Sequence, residues 1–212
     1  MRFVGFGCSW MYGSEMKEHG DTWHEKEKSL HDRTFLGLLG DYENYSLPGN
    51  SNLIMFHQFT EWFNTHTDFS EFIVVFAMTD PGRSGFYDKE ADKWVSSQWI
   101  NPGDKFFDSY KEYIGYTNCE KYERITHNNI ALSVSSICET YDIKYIIFNV
   151  LNSYITPIPI KNYFWQGNSM IKELYKNKER FLHEFDHPTE EGHKWIAGRV
   201  KEFIDTAYPG LL

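Results

Sequence analysis

Apolar residues follow two rhythms along this chain. Short, mostly continuous apolar runs at residues 3–6, 72–78 and 145–150 have the length and the β-branched and aromatic character of strands buried on both faces. Between them lie longer stretches in which apolar residues return every three or four positions. Leu53, Phe56, Phe59 and Phe63 mark a helix over 52–66. Ile130, Val134, Ile137 and Tyr141 mark one over 120–141, and Ile196, Val200, Phe203 and Ala207 one over about 190–207. Weaker patterns predict helices at about 30–40 and 168–180 and a short strand at 42–46. The polar stretch 10–29 reads as a long surface loop, and 152–167, broken by Pro157 and Pro159, as another. Residues 80–118, rich in Gly, Pro, Asp and Tyr, lack a strong period and read as an irregular insertion lying over a site.

Strands alternating with amphipathic helices predict a parallel sheet covered on both sides, in one α/β domain over 1–212. In such sheets the functional loops lie at the carboxyl ends of the strands. Ser9, Gly49, Thr79 and the 151–167 loop each follow a predicted strand, so chemistry scattered along the chain converges on one edge.

Composition narrows the classes. A net charge of −9 without a basic stripe argues against a nucleic-acid footprint and against an anionic membrane surface. Cys8, Cys119 and Cys138 form no metal-type pair, and their odd number fits free thiols in a reducing compartment. No apolar run approaches the ~20 residues of a membrane span, and the first residues lack the pattern of an export signal. The expectation is a cytoplasmic protein; a virus-encoded product released by lysis would carry the same pattern. The aromatic content of 18% first suggests core: Trp94, Trp99 and Trp165 read as packing residues before they read as platforms for a ring.

The candidate chemistry sits near the two ends. Pro188 biases His187 away from helical geometry, so the imidazole of Asp186-His187-Pro188 can project from a loop. Thr189, Glu190 and Glu191 then start a helix, with acids at the positive end of its dipole. At the other end, Gly7-Cys8-Ser9 follows the first strand directly. Taken singly, these residues have plainer uses. Ser9 can cap a helix, Pro48-Gly49 can form a turn, His193 can be structural, and Arg83 can pair with a surface acid or meet an anionic substrate group.

Taken together they resemble a family. Residues 3–9 (Phe-Val-Gly-Phe-Gly-Cys-Ser), residues 44–52 (Asn-Tyr-Ser-Leu-Pro-Gly-Asn-Ser-Asn), Ala77-Met78-Thr79-Asp80 and Glu184-Phe185-Asp186-His187-Pro188 resemble, in order, the four blocks of the SGNH (GDSL-type) hydrolases. The resemblance implies a flavodoxin-like three-layer α/β/α fold with a central parallel sheet. It implies Ser9 as nucleophile and His187 as general base. The amides of Ser9 and Gly49 would form an oxyanion hole, with Thr79, Asn50 or Asn52 as a third donor. Glu184, Asp186 in second place, or a backbone carbonyl would orient the imidazole, and Arg83 would contact substrate. Three positions depart from the family: Cys8 replaces the aspartate before the nucleophile, Thr79 the third-block asparagine, and Glu184 the orienting aspartate. The implied activity is ester hydrolysis through an acyl-enzyme, needing no metal or organic cofactor, on a small-molecule or carbohydrate ester such as an O-acetyl group. A non-catalytic binding protein on the same fold is the alternative. A rival motif, His183-Glu184-x-x-His187, spells a zinc hydrolase; it needs both histidines on one helical face, which Pro188 disfavours.

Overall fold

The structure, a computed structural model, describes residues 1–13, 30–117, 119–151, 158–165, 168–184 and 186–212, the side chains of Trp99 and of 114–117 excepted. Most of the expected 10–29 loop and part of the 152–167 loop therefore lie outside the described residues.

A continuous apolar run can be satisfied only by burial on both faces, and the three central strands meet that demand. β1 (Arg2–Phe6), β3 (Phe72–Met78) and β6 (Lys144–Asn149) lie side by side, all parallel. The short strands β2 (Tyr42–Asn44) and β7 (Tyr163–Phe164) close the two edges, giving the order β2-β1-β3-β6-β7. Along β3 the side chains alternate strictly between two cores: Ile73, Val75 and Ala77 enter one, and Val74, Phe76 and Met78 the other. Helices α2 (Asn52–Thr65) and α4 (Glu120–Thr140) cover the second face. The long helix α7 (Glu190–Ala207), with the short α5 (Met170–Leu174) and α6 (Lys178–Phe181), covers the first. The result is a three-layer α/β/α sandwich.

Several expectations shift in detail. The buried stripe of α2 is Met55, Phe59 and Trp62, while Leu53 is exposed. That of α4 runs through His127, Ile130, Ala131, Val134 and Cys138, and Tyr141 is exposed. Polar Asn52 and His127 belong to these stripes, so counting apolar residues alone rotates each face. Leu30 and His31 are helical, but residues 32–40 form turns and a 3₁₀ segment (Gly37–Leu39) instead of continuing one helix. A Cβ at Gly37 would lie 2.3 Å from the His31 carbonyl oxygen, so the tight turn needs glycine there. The helix expected at 168–180 is broken by a 3₁₀ turn, Tyr175–Asn177. The 80–118 insertion is more regular than expected. It holds an antiparallel hairpin, β4 (Gly85–Asp88) with β5 (Lys93–Ser96), and helix α3 (Phe107–Thr117).

The start of α7 is held from several sides. Thr189 caps it, its Oγ1 accepting from the Gly192 amide at 3.1 Å and donating to the Arg180 carbonyl at 2.9 Å. Replacing the cap, Thr189→Ala, is expected to cost about 1 kcal/mol of stability, while Thr189→Ser keeps most of it. Urea unfolding of the two variants beside the parent checks this.

Candidate active site

Ser9 opens the short helix α1 (Ser9–Tyr12), directly beyond β1. The chain turns sharply there because Gly7 has no side chain: a Cβ would stand 2.8 Å from that of Met11. Cys8, in the N-cap position, is buried in the core and makes no side-chain cap bond. Phe6 pairs with Phe76 in the β1–β3 register, so Ser9 and Thr79 each lie three residues beyond a matched pair.

His187 arrives from the other end of the chain. Leu182 bridges Pro188, the His183 amide donates to the His187 carbonyl at 2.7 Å, and the Asp186 amide to the His183 carbonyl at 3.0 Å. Asp186 sits in the left-handed region at φ 62°, which short polar residues tolerate and which closes the tight turn. The turn delivers the imidazole Nε2 to within 2.8 Å of Ser9 Oγ, across 178 residues of sequence. It also disposes of the zinc-type motif. In a helix the residue 187 amide would donate back to the 183 carbonyl; here the donor is residue 183, and the two histidines do not share a helical face.

Neither expected carboxylate reaches His187. Asp186 turns away to Lys178, at 2.7 Å, and to the Tyr175 hydroxyl. Lys178, then Tyr175, hold its carboxyl below the usual aspartate range. Glu184 is exposed and makes no hydrogen bond or ion pair among the described residues. The extra methylene of Glu184 does not compensate, because the turn points it outward.

The loop after β2 is sewn to the loop after β1. The Leu47 amide (3.3 Å) and Asn50 Nδ2 (3.2 Å) both donate to the Gly7 carbonyl. The Asn50 amide donates to Leu47 at 3.1 Å, and Gly49 has φ 72°, a turn with proline second and a left-handed glycine third. The Ser96 hydroxyl, from the end of β5, donates to the Gly49 carbonyl and ties the hairpin to this turn. Among the described residues, the amides of Ser9 and Gly49 donate to nothing.

The side chains of Asn50 and Asn52 are already engaged. Asn50 Nδ2 also reaches Gln58 at 2.9 Å. Asn52 grips the Thr79 backbone from both sides: Oδ1 accepts from the Thr79 amide at 2.8 Å and Nδ2 donates to its carbonyl at 3.3 Å. Behind it stands His127, with Nδ1 3.2 Å from Asn52 and Nε2 2.9 Å from the Tyr163 hydroxyl and 3.2 Å from Asn149 Oδ1. Asn149 in turn donates to the Trp165 carbonyl at 3.0 Å. This buried chain of polar groups braces the ends of β3 and β6. Sequence reasoning missed it; its traces were a histidine on the apolar stripe of α4 and an asparagine ending the apolar run of β6. Thr79 itself is fully buried, and its Oγ1 has no hydrogen-bond partner.

His193 proves structural. Fully buried, it accepts the Phe35 amide on Nδ1 at 3.1 Å. Trp94 is half-buried against His57 in a groove of about 470 Å³ that also meets Pro48 and Asn50. Trp165 packs on Phe203 and Trp195. Arg83 lines a separate cavity of about 130 Å³ beyond Thr79. Neither the groove nor this cavity has Ser9 or His187 among its lining residues.

No family model and no curated sequence matches the chain. Solved structures do match. The esterase EstA from Pseudoalteromonas sp., inhibited by monoethylphosphonate, superposes with a TM-score of 0.54 at 6% identity over 97% of each chain. This likeness is one of fold: the two chains share the three-layer α/β/α architecture. A GDSL-like lipase from Bacteroides thetaiotaomicron aligns over 97% of this chain and 88% of its own, at 15% identity and a TM-score of 0.49. A putative lipolytic protein of the G-D-S-L family from Desulfitobacterium hafniense aligns over 95% and 98%, at 11% identity and 0.47. Among the described residues, no helix is long and apolar enough to cross a membrane.

Burial pushes His193 down to about 3 and His127 down to about 4, against an ordinary value of 6.5. Both are therefore neutral in the folded protein at pH 7, and the unfolded chain takes up protons first as pH falls. Their stabilisation is complete above about pH 6.5 and is lost progressively toward pH 4 and below. Urea unfolding between pH 7 and pH 4.5 should show stability falling with proton uptake on unfolding, and His193→Gln should flatten that slope.

Proposed function

We propose that the protein is a serine ester hydrolase working through an acyl-enzyme. The observation that carries this reading is the 2.8 Å contact between Ser9 Oγ and His187 Nε2, at the sheet edge where an SGNH fold places its loops. An alcohol is not ionised near neutral pH, so Ser9 needs a base. His187 Nε2 takes the proton as Oγ attacks the ester carbonyl, then returns it to the leaving alcohol. Water repeats the cycle on the acyl-enzyme. The open amides of Ser9 and Gly49 stabilise the oxyanion, and the Thr79 hydroxyl, unpartnered but fully buried, is the third donor once substrate binding uncovers it. Short acyl esters, O-acetyl groups on carbohydrates among them, are the substrates we assign. The phosphonate inhibition of the Pseudoalteromonas esterase suggests the probe for a test.

Treatment with a fluorophosphonate, read by intact mass, is expected to give one adduct on the wild type and none on Ser9→Ala. His187→Ala should label about 10²–10⁴-fold more slowly, the range of general-base assistance. A folded wild type that takes no adduct overturns the assignment.

Thr79→Val separates the roles of its hydroxyl. Exchanging an unpartnered buried hydroxyl for a methyl group loses no hydrogen bond, so stability should hold or rise. Loss of an oxyanion donor should still lower kcat by about 10²–10³. Thermal unfolding and ester turnover on the same preparation decide between a catalytic and an idle hydroxyl.

A further inference from the structure

The cavity beyond Thr79 is built around a cation with no partner. Arg83 is half-buried, its Nη1 is buried, and that atom meets no acceptor. Arg83 forms no ion pair among the described residues. A guanidinium is charged at every accessible pH and carries five donors in a planar fork. Leaving one of those donors buried and unmet is costly, and such a group calls for an acceptor that the protein itself does not supply.

The surroundings suit a small ligand. Besides Arg83, the cavity is lined by Tyr110, Tyr113, Tyr122, Thr126 and Asn52. Phe86, in the hairpin, packs edge-on against Tyr110 and Tyr113 and fixes both rings. Glu123 is the one carboxylate among the described lining residues, and a Cβ on Gly82, next to Arg83, would stand 3.6 Å from its Oε1, so Arg83 would hold an anion against a nearby carboxylate. The volume, about 130 Å³, accommodates a carboxylate or phosphate group with a few attached atoms, not a chain.

The cavity is also close enough to matter. The Arg83 amide donates to the Asp80 carbonyl at 3.1 Å, closing a turn that keeps those two Cα atoms within about 7 Å. Adding one Cα step of about 3.8 Å puts Arg83 within roughly 11 Å of Thr79. Thr79 follows β3, the strand beside β1, and β1 leads into Ser9. Asn52, which holds the Thr79 backbone from both sides, also lines the cavity, so the cavity adjoins the braced end of β3, one strand from Ser9.

We infer that Arg83 and the tyrosine-walled cavity bind an anionic group, carboxylate or phosphate, carried by the alcohol part of the ester substrate. This rests on the esterase reading for its link to turnover, but the binding itself does not.

The test therefore has two arms. Calorimetry with wild-type protein compares benzoate and phenyl phosphate with neutral benzamide. At least tenfold tighter binding of one anion is expected, and which anion it is separates carboxylate from phosphate. Arg83→Gln should abolish the preference and Arg83→Lys should keep part of it. Equal binding of benzamide, or a preference that survives Arg83→Gln, overturns the inference. In the second arm, the ratio of kcat/KM for 3-acetoxybenzoate over phenyl acetate should fall at least tenfold in Arg83→Gln. An unchanged ratio overturns the assignment of the cavity to substrate. Anion binding with no ester hydrolysis by wild type would sink the esterase reading and leave the anion site standing.

Discussion

Parallel strands cannot be joined by tight hairpins. Each connection must cross the sheet and return to the starting edge, and that constraint shapes everything else here. Because β1, β3 and β6 run the same way, their outgoing loops emerge together. Ser9, the turn at Gly49, and Thr79 become neighbours through the sheet and not through sequence proximity. The same requirement buries the strands on both faces, which accounts for the apolar runs and for two separate helical layers.

The emerging loops are then fixed by polar bonds whose partners come mostly from neighbouring loops. Gly7 offers one carbonyl to two donors from the next loop, and Asn52 holds both backbone groups of Thr79. His127 can serve in this bracing only while neutral, and its burial keeps it so. The Thr79 hydroxyl and Arg83 Nη1 are among the buried side-chain atoms that this network leaves without a partner.

Much of the architecture was legible in the sequence, for identifiable reasons. Residues 72–78 could hardly be anything but a central strand, and the start of α7 at Glu190 followed from Pro188 and Thr189. The orientation of the helices was less legible, because Asn52 and His127 occupy buried positions that an apolar count assigns to solvent. The β4–β5 hairpin was hidden by its glycine and charged residues, and the two-residue β7 by its brevity. At the site, the residues following strands could be placed, since strand ends are well defined. The carboxylates could not: whether Glu184 and Asp186 face His187 depends on a left-handed residue inside one tight turn, and on Lys178 and Tyr175 competing for Asp186.

The Ser9–His187 contact spans 178 residues, from the first crossover to the turn before the last helix. Its two halves sit on structures that need not form together. The sheet carries the serine, whereas the docking of α7, through its Thr189 cap and the His193 bond to Phe35, carries the imidazole. A molecule that has completed its sheet but not seated α7 would leave the Ser9 hydroxyl without its imidazole partner. The Ser9–His187 contact is thus a gauge of whether the two ends of the chain have docked, a property that a measure of bulk secondary structure does not read.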